Sequence, residues 1–152
     1  MNAPFIRAAN PEDADIVYSF IHKLAEYEKQ PDAVKISVTA LRSYMELQNP
    51  PFECLIAENS SGKAIGFALF FPTFSTWEGP GIWLEDVYVE EDARLQGVGK
   101  ALLERLIELA LERDCARLEW TVLDWNERAR NFYGQMSAFP LNDWTTWRLN
   151  LK

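Results

Sequence analysis

The chain carries a single histidine, His22, and only two cysteines, Cys54 and Cys115. Neither cysteine belongs to a Cys-x-x-Cys pair or another metal-spaced cluster. That excludes a disulfide framework and fits two ordinary buried or half-buried thiols in a reducing, cytoplasmic setting. His22 falls in an amphipathic helical stretch, Tyr18 to Tyr27, where a histidine belongs to a helix surface or core, so no metal site is expected. No apolar run reaches the roughly 20 residues of a membrane span. Met1 to Asn10 has one arginine, no sustained apolar stretch and no small-residue cleavage site, unlike a secretory signal. Basic residues are also scarce, 15 Lys and Arg against 23 Asp and Glu, for a net charge of −8. This balance argues against nucleic-acid binding, which needs Lys and Arg to neutralise phosphates, and favours cationic partners, although the same acidity also serves solubility.

What is present is apolar material for one core: 48% of the 152 residues are hydrophobic and 13% aromatic, which suits a single domain over 1–152. Phe5 to Ala8 reads as a strand. Asn10-Pro11-Glu12-Asp13 then supplies a cap, a first-turn proline and acids for a helix to about Tyr27. Ser37 or Thr39 caps a second helix through Leu47, ended by Asn49-Pro50-Pro51. Phe52 to Glu58 and Ala64 to Thr73 flank a turn-rich spacer and predict an antiparallel hairpin. Gly-Pro-Gly punctuation at 79–81 predicts a loop before a strand from Ile82 to Val89. Apolar residues at helical spacing predict a long helix from Gly99 to about Arg113. A strand over Arg117 to Leu123, a helix over Asn126 to Gln135 and a closing strand over Trp144 to Leu151 complete an α/β sandwich around a mixed sheet.

The chemistry concentrates in Arg94-Leu95-Gln96-Gly97-Val98-Gly99-Lys100, which joins a strand to the start of the long helix. Glycines there let backbone N–H groups turn toward an anion, and the helix N-terminus adds about half a unit of positive charge, so a diphosphate fits. Arg94 or Lys100 would add a neutralising cation. A Walker A loop is excluded because Ala101 follows Gly99-Lys100 and offers no hydroxyl for magnesium. A dinucleotide fingerprint fails because Leu102 stands where its third glycine would be. Taken alone, the glycine pair also suits a helix-start turn with no ligand.

In context, Arg94-x-x-Gly97-x-Gly99 following the strand Leu84-Glu85-Asp86-Val87-Tyr88-Val89 resembles the acetyl-coenzyme A pyrophosphate loop of the GNAT N-acetyltransferase superfamily. Trp125-Asn126-Glu127 and Asn131-Phe132-Tyr133 are similar to its second signature, and the likeness extends to Trp147-Arg148. It is nearest to the spermidine/spermine (diamine) and thialysine N-acetyltransferase branch, with which Tyr27-Glu28 is shared. The resemblance implies a GNAT-like α/β (α+β) fold, a mixed and mostly antiparallel sheet flanked by helices in the order β-α-α-β-β-β-α-β-α-β. It further implies acetyl-coenzyme A as cosubstrate, a small cationic amine as acceptor and a homodimer. Val87, Tyr88 and Val89 would meet the pantetheine arm where two strands splay, Leu95, Gln96, Gly97, Val98, Gly99 and Lys100 the diphosphate, and Asn126, Glu127, Arg128 and Ala129 the rest of the donor. Tyr133 would be the general acid. Tyr27, Glu28, Glu85, Asp86, Glu119, Trp120 and Thr121 match positions lining the amine pocket.

Residue chemistry is compatible with these roles. A tyrosine of pKa about 10 is protonated at neutral pH and can donate, although without the neighbouring motif Tyr133 also suits a core or cap position. An alkylammonium of pKa about 10.4 must lose a proton before it attacks, and Glu85 is the candidate acceptor, through water. Strand alternation sends Glu85 and Asp86 to opposite faces, so one of the two is expected to be solvated. Thr145 and Gly134 replace an acidic and a basic residue of the polyamine pattern, and Met136-Ser137-Ala138 lacks the usual glycine near the helix end. The six tryptophans are expected in core and interface packing, with the loop at Phe74-Ser75-Thr76-Trp77 able to reach a partner subunit. Two competing activities remain, a catalytically silent acyl-coenzyme A sensor and a transferase acting on protein or peptide amines.

Overall fold

The computed structural model describes residues 3–152; Met1 and Asn2, the start of the stretch read against a secretory signal, lie outside the described residues. The chain divides into two compact units, one ending at Thr121 and one running Val122–Lys152. Among the described residues no helix is long and apolar enough to cross a membrane.

The first unit is built on a five-stranded sheet in the order β1 (Phe5–Ala8), β2 (Glu53–Glu58), β3 (Ala64–Ser75), β4 (Gly79–Val89) and β5 (Arg117–Glu119). All neighbours are antiparallel except β4 and β5, which are parallel, so the expected mixed and mostly antiparallel sheet is borne out. Helix α1 (Ala14–Tyr27) follows a single 3-10 turn closed by a reciprocal cap: the Asn10 side chain accepts from the Glu12 amide and Asp13 accepts from the Asn10 amide, both at 2.8 Å. Ser37 caps α2 (Val38–Met45) by accepting from the Ala40 amide. One face of the sheet gives Cys54, Ile56, Phe67 and Leu69 to a core with Val17, Phe20 and Leu41 from α1 and α2. Helix α3 (Val98–Glu112) buries Val98, Leu102, Leu103, Leu106 and Ala110 and packs on β2, β3 and β4. By strand alternation Leu55, Ala57, Ala68 and Phe70 are buried on the other face from the first core.

Two boundaries differ from expectation for steric reasons. The Gly79-Pro80-Gly81 segment continues β4 instead of looping, because Pro80 pairs with Phe74 and its carbonyl accepts from the Ala116 amide at 2.9 Å. A Cβ on Gly81 would lie 3.0 Å from Thr73 Oγ1 and 3.2 Å from the Arg117 carbonyl oxygen, so glycine permits three strands to approach there. Strand β5 stops at Glu119, four residues short of the expected Leu123, and pairs only with Gly81 to Trp83.

The second unit contains α4 (Glu127–Gln135), capped by the Asn126 side chain, which accepts from the Ala129 amide at 3.2 Å. Its end closes with the Ala138 amide donating to the Tyr133 carbonyl and Ser137 to Gly134. Ser137 takes the left-handed position, φ 64°, that glycine usually fills. The closing strand expected over Trp144 to Leu151 is absent. Alternation of Trp147, Leu149 and Leu151 suits a half-buried strand, yet a strand exists only through backbone bonds to a neighbour, and these three side chains are exposed. The tryptophans also depart from core packing. Trp77, Trp125, Trp144 and Trp147 are exposed and Trp83 and Trp120 half-buried, because four of the six lie at a hairpin tip or in a small unit with no fully buried residue. Both cysteines are free, Cys54 buried and Cys115 half-buried, and burial pushes the Cys54 thiol up, as expected of an inert core thiol.

Candidate active site

Strand β4 carries the candidate chemistry. Beyond Trp83↔Glu119 no β5 residue pairs with it, so Leu84 to Val89 run on without a parallel neighbour from β5. Val87, Tyr88 and Val89, all half-buried, occupy that stretch. Pairing between the two strands thus ends before the stretch that the resemblance assigns to the pantetheine arm.

At the end of β4 the chain makes the loop that opens α3. Leu95 and Gly97 are both left-handed, φ 63° and 81°. A Cβ at Gly97 would meet nothing within 4 Å, so the dihedral alone asks for glycine. Leu95 is a bulky side chain, 93% exposed, held in a conformation costing roughly 1–2 kcal/mol, the kind of strain found at binding loops. The step from left-handed Gly97 into right-handed Val98 turns successive N–H groups to one side. The first ladder bond of α3 runs from the Ala101 amide to the Gly97 carbonyl at 2.9 Å, leaving the Val98, Gly99 and Lys100 amides outside the helix's own ladder. This cradle, at the positive end of a helix dipole, could hold a diphosphate. A Cβ on Gly66 would lie 2.8 Å from the Tyr88 carbonyl oxygen and 3.4 Å from Val98, so β3 lets the start of α3 sit close against the sheet.

The cations at the loop are differently engaged. Arg94 donates from Nε to the Val89 carbonyl at 3.0 Å, and its guanidinium lies 5.2 Å from the Tyr27 ring centre and 5.5 Å from that of Tyr88. It thereby ties the loop to the end of α1 and to β4. Lys100 is exposed, with Nζ 3.6 Å from Glu104. Gln96 donates to the Asp92 carbonyl at 2.8 Å.

Three carboxylates, Glu85 and Asp86 on β4 and Glu28 at the end of α1, act on one another. Leu69 pairs with Asp86 and Phe70 with Leu84, so Glu85 is an extra residue standing outside the register, a β-bulge on β4. Glu85 is exposed and Asp86 half-buried, so the residue expected to be solvated is Glu85, and the three acids repel one another. Burial, with the charges of Glu85 and Glu28 adding to it, pushes the Asp86 carboxyl up to about 7 from the usual 3.8. Burial first and Glu85 second also raise Glu28. Glu28 is the C-cap of α1, which closes with Lys29 left-handed and the Gln30 amide donating to the Ala25 carbonyl at 2.8 Å. A carboxylate there faces the negative end of the helix, an arrangement that a bound cation would relieve. Glu85 accepts a hydrogen bond from the Trp83 indole N–H at 2.8 Å.

Glu119 ends β5 in an ion pair with Arg117 at 2.9 Å, and Trp120 and Thr121 follow it. In the second unit Asn126, Glu127, Arg128 and Ala129 form the start of α4, and Tyr133 is half-buried with its ring 5.5 Å from that of Phe132. His22 stacks edge-on against Tyr18 at 4.5 Å, and among the described residues no group of His, Cys, Asp and Glu is placed to hold a metal ion. Sequence reasoning missed two features: the bulge and the Trp83 bond to Glu85. The second had a signal, since residues two apart on a strand share a face.

Residues 17–139 match the Acetyltransferase (GNAT) family. Over 149 residues the chain is 38% identical to the thialysine N-epsilon-acetyltransferase of Bos taurus, covering 93% of this chain and 88% of that one. It is 34% identical over 148 residues to the protein of the same name from Caenorhabditis elegans, covering 95% and 91%. The fold is similar to the crystal structure of a ribosomal-protein-alanine N-acetyltransferase from Brucella melitensis biovar Abortus 2308, with a TM-score of 0.77, 24% identity and coverage of 99% and 100%.

Proposed function

The chain belongs to the GNAT acetyltransferase family and is an acetyl-coenzyme A-dependent N-acetyltransferase, and from that premise we propose that it acetylates a primary amine of a small cationic molecule by direct attack in a ternary complex. Thialysine, a lysine-like amino acid or a short diamine fits best. The observation that carries this reading is that one strand, β4, bears the bulged Glu85–Asp86 pair and leads, through the 3-10 turn Glu91–Ala93 and the loop at 94–97, to the anion cradle at the start of α3.

Acetyl-coenzyme A supplies the activated acetyl thioester. The amides of Leu95 to Lys100 hold its diphosphate, the stretch Val87 to Val89, paired with β3 and not with β5, offers main-chain groups to the pantetheine arm, and Asn126 to Ala129 complete the donor site. Glu28 and Asp86 bind the ammonium groups of the acceptor, with Tyr27, Glu119, Trp120 and Thr121 walling the pocket. Glu85, directly or through one water, accepts the proton that the attacking nitrogen must lose. Tyr133 donates its hydroxyl proton to the departing thiolate, a role that rests on residue type and motif. The 152 residues act as one domain, in the cytoplasm and as a homodimer.

The test is thiol release from acetyl-coenzyme A with thialysine, lysine, spermidine, short diamines and peptide amines. Turnover is expected with small cationic amines, and initial-rate patterns in which the two substrates intersect are expected of a ternary complex. Release with peptide amines alone would move the activity to proteins. Calorimetry showing no saturation with coenzyme A would remove the donor site.

A further inference from the structure

We propose that Trp83 is a positioning residue for the proton acceptor: its indole N–H fixes the exposed Glu85 carboxylate in the arrangement from which it takes the amine proton. The inference rests on the reading of Glu85 given above. Three observations carry it. Glu85 lies outside the β3–β4 register, so the sheet ladder does not pin its backbone as it pins Leu84 and Asp86 on either side. The indole Nε1 donates to Glu85 Oε2 at 2.8 Å, within the range of charge-assisted bonds. Trp83 itself is held firmly, paired with Phe71 on one side and Glu119 on the other, at the last position where β4 and β5 still run together.

A bulged residue is re-aimed by its bulge but also loosened by it. A donor two residues back, on the same face of a fully paired part of the strand, restores the lost definition. It occupies one carboxylate oxygen and leaves the other to accept from the substrate nitrogen or a water. The groups facing Glu85 are otherwise acidic: Asp86 beside it and Glu28 from α1, both of whose carboxyls its charge raises. Glu119, across from Trp83 in β5, is paired with Arg117.

The experiment is Trp83→Phe, which keeps an aromatic ring on β4 and removes the N–H. Against the best amine of the panel, kcat is expected to fall about 10- to 100-fold. KM for acetyl-coenzyme A is expected to stay unchanged, so that the loss falls on kcat and not on donor binding. Glu85→Gln alone and with Trp83→Phe should be equally slow, because the two residues act as a unit. Should Trp83→Phe lose coenzyme A binding, the tryptophan isostere in which sulfur replaces the indole nitrogen, placed at position 83, keeps the shape and removes only the donor. Wild-type kcat in either variant, while Glu85→Gln is inactive, overturns the role of Trp83 and leaves that of Glu85 standing. Full turnover by Glu85→Gln overturns both.

Discussion

A carboxyl held near neutrality leaves a thermodynamic trace that can be read without any substrate. Below about pH 4 Asp86 is protonated in both the folded and the unfolded chain. As pH rises toward 7 the unfolded chain ionises while the folded one resists, so the stability present in acid is lost across that window, with burial as the main cause and Glu85 and Glu28 as the lesser ones. Asp86→Asn is therefore expected to be more stable than the wild type by on the order of 2–4 kcal/mol at pH 8, and by progressively less toward pH 4. Denaturant melts at several pH values check this, and a gain that does not grow with pH would contradict it. The same substitution should raise KM for the amine. At Tyr133 the expectation concerns chemistry instead: Tyr133→Phe should bind coenzyme A as the wild type does and lose turnover by about 10²- to 10⁴-fold, measured by calorimetry beside thiol release.

The elements show which parts of the chain are governed by local rules. At the start of α3, Gly97→Ala adds a methyl that meets nothing within 4 Å, so its whole effect comes from the left-handed dihedral. A loss of about 1–2 kcal/mol in stability, with weaker coenzyme A binding by titration, is the expected outcome. Local rules made much of the fold legible: Asn10-Pro11 and Ser37 announced their helices, apolar spacing gave α3, and the glycine pair before it marked the cradle. Illegible were the features that depend on a neighbour. The bulge at Glu85 is a mismatch between β3 and β4 that neither strand shows by itself. Pro80 is tolerated in β4 because its carbonyl finds Ala116, and Trp144 to Leu151 has a strand's pattern without a strand's partner. For Arg94 the charge was legible but not its seat between two tyrosine rings, since stacking is set by the distant end of α1.

For the molecule as a whole, the surplus of eight negative charges would draw in a cationic substrate of the kind proposed. Acetylation of a diamine is expected to show a kcat/KM that falls as salt rises from about 10 mM to 0.5 M, where the screening length shrinks from about 30 Å to a few ångströms. A neutral amine of similar size should show a flat dependence in the same assay, and equal slopes would exclude steering. The parting of β4 from β5 has a consequence of its own for the protein at rest. Past Trp83 no β5 residue pairs with β4, and apart from the Val89 carbonyl, which Arg94 engages, this edge is a seam along which the amides of another molecule would fit. The donor nucleotide's amide-bearing arm would then double as a cap on that seam. Concentrated protein freed of coenzyme A is expected to scatter more light on standing than the same preparation saturated with it.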